Sequence, residues 1–96
     1  MGYGVDGIRA VLKKKDAHGQ AWYAVQATVR NSGESVKDVS VILQAVAGRG
    51  IELKTAKLRG KIDPDSAKVL KGVINMRSQD YEAIDRWQVK EILVHQ

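Results

Sequence analysis

The stretch Trp22-Tyr23-Ala24-Val25-Gln26-Ala27-Thr28-Val29-Arg30-Asn31 decides the fold. Tyr23, Val25, Ala27 and Val29 share one parity, while Ala24, Gln26, Thr28 and Arg30 share the other. Successive side chains on extended backbone point to opposite faces, so this alternation predicts a half-buried strand over residues 22–31. Trp22 and Tyr23 are adjacent and must face opposite ways, one to the core and one to the surface.

Working outward, Asn31-Ser32-Gly33-Glu34-Ser35 reads as a turn, because these residues tolerate positive φ and bond their own backbone. Alternation resumes over residues 36–47, with Val39, Val41, Leu43 and Ala45 on one side. The two strands form either a hairpin or a passage between two sheets. Gly48-Arg49-Gly50 breaks the chain, and a weaker strand follows over residues 51–58 with Ile51, Leu53 and Leu58 apolar. Pro64 lacks a donor N–H, which makes Asp63-Pro64-Asp65-Ser66 a turn.

Residues 67–76 form the next strand. Leu70, Ile74 and Met76 share one parity and Val69 and Val73 the other, which predicts burial on both faces. Residues 77–87 do not alternate. Tyr81, Ile84 and Trp87 fall three apart, which predicts a short helical turn or structured loop near 77–87, anchored by Tyr81 and Trp87. A last strand covers 88–94, and the first covers 7–13, where Ile8, Ala10 and Leu12 share parity. Residues 1–6 read as a flexible start or an expression remnant. The expectation is therefore all-β: one domain over residues 1–96, an immunoglobulin-like β-sandwich of six to seven strands.

Composition bounds the chemistry. Ninety-six residues suffice for one domain. There is no cysteine, so disulfides, thiol catalysis and cysteine metal sites are excluded. No apolar run approaches the ~18 residues of a membrane span. The net charge of +5 favours acidic partners.

The order of features resembles the FxLYD-type immunoglobulin-like modules of bacterial extracytoplasmic proteins. The residues that carry the resemblance are Val29-Arg30-Asn31-Ser32-Gly33 leading into Val36-Lys37-Asp38-Val39-Ser40-Val41, and Ile62-Asp63-Pro64-Asp65-Ser66 ahead of an apolar strand. It spans roughly residues 20–94, with Leu43-Gln44-Ala45-Val46-Ala47 where the naming motif would stand. The resemblance implies a non-catalytic interaction or structural module outside the cytoplasm, and it supplies no catalytic residues.

The residue sets agree with a non-enzyme. His18 sits in a polar turn and His95 next to the end of the sequence, too few for a metal site. Asp63 and Asp65, and Asp80, Glu82 and Asp85, lack the spacing of a calcium loop and read as turn and loop chemistry. No serine has a Gly-x-Ser-x-Gly setting or an obvious histidine base. No cofactor is expected.

The candidate binding residues are basic. Lys57, Arg59 and Lys61 share one strand face, Lys54 precedes them, and Trp22 is the surface aromatic. This set could take a protein or acidic polymer, with nucleic acid as the alternative ligand. The bland reading of the same lysines is protection of an exposed edge strand. An unprotected edge could instead make a homodimer.

Overall fold

The computed structural model describes residues 3–95. Six strands, β1 (Tyr3–Lys15), β2 (Gln20–Asn31), β3 (Lys37–Ala47), β4 (Glu52–Ile62), β5 (Ser66–Arg77) and β6 (Ile84–His95), account for nearly all of it. One short helix, α1 (Ser78–Glu82), and a 3₁₀ turn at Gly48–Gly50 are the only helical pieces among the described residues. The strands form two antiparallel sheets, which we call sheet I (order β1-β2-β5) and sheet II (order β4-β3-β6).

The period of two builds the core between the sheets. On β2, Ala21, Tyr23, Val25, Ala27 and Val29 point inward and are buried. They meet Val39, Val41 and Leu43 of β3, Ala56, Leu58 and Ile62 of β4, and Leu70, Ile74 and Met76 of β5. Each fully buried Val, Leu or Ile contributes about 1.5–3 kcal/mol. β2 and β3 are the central strands, which is why their inner faces are closed most completely.

The turns work as their residues dictate. Gly19, at φ 87°, closes the β1–β2 hairpin, and the Asp16 carboxylate accepts the His18 and Gln20 N–H groups at 2.8 and 3.0 Å. The β2–β3 connection passes from one sheet to the other and is not a hairpin. Asn31 anchors that passage. Its Nδ2 donates to the carbonyls of Ser35, Ile62 and Asp63 at 2.9, 3.1 and 3.3 Å, and its Oδ1 accepts from the Gly33 N–H at 2.9 Å.

The sandwich is closed on one side and looser on the other. Where β4 lies along β5, a Cβ on Gly60 would sit 2.5 Å from Leu70 Cδ2, and one on Gly72 would sit 2.8 Å from Leu58 Cδ2. Each leucine therefore fills the space that the opposite glycine leaves. Across the other side, β1 and β6 contribute only partly buried residues, among them Val5, Ile8, Trp87 and Ile92.

Several expectations need correction. Tyr3–Asp6 belong to β1, paired with β2 from Tyr3↔Asn31 onward, so of the flexible start only residues 1 and 2 lie outside the described residues. β5 is buried on one face only: Val69 and Val73 are exposed. Trp87 is no loop anchor. It stands in β6 opposite Ala45, and β6 begins at Ile84. Tyr81 does anchor, stacking on Tyr23 with ring centroids 3.8 Å apart and planes 17° apart.

Candidate functional site

The two outer faces of the sandwich hold the residues singled out by sequence, and they hold them apart. β4 pairs Lys61 with Asp38, Arg59 with Ser40 and Lys57 with Ile42, which places all three basic residues on the outer face of sheet II. Lys54 has the other parity. It pairs with Ala45, whose side chain is in the core layer, and so leaves the row. Trp22 stands on the outer face of sheet I, on the far side of the molecule. The five residues do not form one surface.

Of the basic row on sheet II, Arg59 alone has an ion-pair partner among the described residues. Arg59 grips Asp38 through two bonds, Nε to Oδ1 at 3.1 Å and Nη2 to Oδ2 at 2.9 Å. That bonding, helped by the charges of Arg59, His95 and Lys61, holds the Asp38 carboxyl below the usual carboxylate range. At the opposite end Glu52 accepts Lys90 at 2.8 Å and Gln44 Nε2 at 2.7 Å, and Gln44 in turn accepts Gln88 Nε2 at 2.7 Å. These bonds likewise lower the Glu52 pKa, the Lys90 bond most. All three ion pairs among the described residues, Asp38–Arg59, Glu52–Lys90 and Asp85–Arg86, lie in strands of sheet II.

Sheet I has the opposite character. Its three strands carry one acid, Asp6. Register fixes its outer face in rows across β1, β2 and β5: Asp6, Thr28, Val69; Arg9, Gln26, Lys71; Val11, Ala24, Val73; Lys14, Trp22, Asn75. Val73 is 67% exposed and Val11 55%. Lys14 Nζ lies 5.1 Å from the Trp22 ring centroid, within cation–π range. With strands about 4.8 Å apart, Arg9 and Lys71 flank Gln26 across about 10 Å. The result is a strip of valine, alanine and tryptophan with uncompensated cations on both borders.

Sequence reasoning missed this face. Its signals were present, in the second parity of β5 (Val69, Lys71, Val73) and in Val11 before the Lys13-Lys14-Lys15 run. What was missing was the register that sets Val11, Ala24 and Val73 side by side.

A serine–histidine contact was also missed. Ser40 Oγ lies 2.7 Å from His95 Nε2, although the two are 55 positions apart. The register Asp38↔His95 brings a carboxylate close as well. The contact lacks what acyl transfer needs. Ser40 is fully buried, and the N–H groups of β3 face partner strands on both sides, leaving no donors to receive an oxyanion. Among the described residues no three His, Cys, Asp or Glu side chains gather as metal ligands. Among the same residues no helix is long and apolar enough to cross a membrane. A cleft of about 480 Å³ opens between Tyr3 and the β2–β3 turn, but the one buried polar side chain in it, Asn31, is already bonded to backbone.

No family model, curated protein or solved structure matches the chain.

Proposed function

We propose that the protein is a non-catalytic, immunoglobulin-like interaction module that binds an acidic partner protein through the outer face of sheet I. The observation that carries this reading is the row of exposed Val11 and Val73 around Ala24 and beside Trp22, bordered by Arg9, Lys14 and Lys71, with Asp6 the one acid on the three strands. A contiguous exposed apolar patch rimmed by polar and charged side chains is the usual mark of an interaction surface.

The immunoglobulin-like reading is supported by strand pairing. β2 pairs with β5 and β3 with β6, as B with E and C with F in that sandwich. β1 flanks β2 as A flanks B, and β4 takes the place of the variable-type C′ beside C. The resemblance to FxLYD-type modules favours a place in a bacterial extracytoplasmic protein. A lipoprotein signal or membrane anchor in the gene product would support that location, and a cytoplasmic fusion partner would count against it.

The binding test compares two charge reversals of equal size. Peptides selected from a random displayed library serve as the probe. Arg9→Glu with Lys71→Glu is expected to weaken the selected peptides at least about tenfold, the ~1.4 kcal/mol of one good contact. Lys57→Glu with Lys61→Glu is expected to leave affinity within about twofold. The reverse pattern would return the site to β4.

Trp22 under Lys14 favours one second reading, a single-stranded nucleic acid laid along β2. That reading requires poly(U) to bind with a steep salt dependence and to compete with the peptides.

A further inference from the structure

Each sheet has two edges, and three of the four are accounted for. The β4 and β5 edges lie against each other, locked by the Leu58–Gly72 and Leu70–Gly60 fits. β1 is interrupted twice. Gly7, at φ 61°, and Ile8 oppose Ala27 alone, and Lys13 is an extra residue between Leu12↔Tyr23 and Lys14↔Trp22. It ends in three consecutive lysines, which with the bulges make an edge that resists pairing. β6 is different. It runs Ile84–His95 with β3 on one side and, among the described residues, no strand on the other. Val89, Leu93 and Val94 are 38%, 37% and 42% exposed along it.

We propose that β6 pairs antiparallel with β6 of a second copy, about a two-fold axis between Lys90 and Glu91. The strand is complementary to itself in this register. Val89 meets the second copy's Ile92, and Trp87 meets its Val94, all on the inner face. Gln88 meets Leu93 and Arg86 meets His95 on the outer face. At the centre Lys90, turned from Glu52 toward the edge, meets Glu91 twice, an opposite-charge pair that favours the register.

The bulge in β6 is what makes the faces agree. The register to β3 slips by one residue at Lys90, between Ile42↔Glu91 and Leu43↔Val89. Without the slip, Val89 and Ile92 would point to opposite sides, and a self-paired strand would mix core with surface. With it, every named pair is face-matched. The pairing also covers Trp87 and Ile92, which the loose β1/β6 side leaves only partly buried. Sheet I takes no part, so this inference stands apart from the partner face described above.

The test is sedimentation velocity from micromolar to millimolar protein. The wild type is expected to pass from monomer to dimer. Glu91→Lys, which sets four lysines at the centre, should raise the dissociation constant at least about tenfold. Lys90→Glu should do the same with four glutamates; it also replaces the exposed Lys90–Glu52 pair with two carboxylates, so thermal melting of the variant is measured alongside. Mixing the two variants should restore a dimer that neither forms alone. A wild type monomeric throughout, a Glu91→Lys variant that dimerises undiminished, or a mixture no heavier than its parts would each overturn the proposal.

Discussion

Asn31 is the buried polar side chain with most to lose. Its amide hydrogens answer three carbonyls and its oxygen one N–H, tying the ends of β2 and β4 to the turn between the sheets. Asn31→Ala strands those buried groups and is expected to cost about 1–3 kcal/mol in urea unfolding. The sequence showed Asn31 as a turn residue; its bond to Ile62, 31 positions away, depends on packing that no local pattern reports. The titratable groups give a second expectation. Arg59 lowers the Asp38 pKa and Lys90 lowers that of Glu52, so the folded state releases these protons more readily than the unfolded one. Their contribution is present above the ordinary carboxylate pKa and lost as pH falls through the lowered values. Asp38→Asn should therefore lower stability at neutral pH and flatten the acid limb of a stability-against-pH curve, the variant and wild-type curves converging in acid. Tyr23 runs the other way. Burial first, then Tyr81 and Glu82, raises its pKa above 10.0, so its contribution holds below that pH and is lost as alkali ionises it. Absorbance should show Tyr23 ionising together with alkaline unfolding.

Packing between strands sets the next level of constraint. β4 and β5 approach closely because Gly60 and Gly72 leave room for Leu70 and Leu58. Gly72→Ala presses on Leu58 at 2.8 Å and on the Lys57 carbonyl at 3.3 Å, and is expected to cost about 1–3 kcal/mol by thermal melting. Gly48→Ala, with nothing within 4 Å of the new Cβ, is the matched control and should be near neutral. The strands themselves were legible, because β2 and β3 bury alternate residues without a break. The parts misread share a cause, since bulges and pairing are not local. Slips at Asp85 and Lys90 hide the alternation of β6, and the slips in β1 shift its parity midway. β5 seemed apolar on both faces because exposed valines look the same in sequence as buried ones.

The molecule as a whole separates its charge. Sheet II holds the three ion pairs found among the described residues, while sheet I keeps one acid against a bordering set of lysines and arginines. The sequence revealed the basic excess and the surface tryptophan, but it joined Trp22 to the β4 row because strand order is invisible in one dimension. Pairing through β6 would add a consequence. A two-fold axis perpendicular to sheet II points both sheet I faces the same way, so a dimer would present two recognition strips and bind a repeated ligand with avidity. The central claim is that recognition belongs to sheet I. Titrating isotope-labelled protein with a library-selected peptide and following the backbone amide shifts tests it most directly. The account predicts the largest shifts at Arg9, Val11, Trp22, Ala24, Lys71 and Val73, with β4 unmoved. Largest shifts at Lys57, Arg59 and Lys61, with the sheet I rows silent, would contradict it.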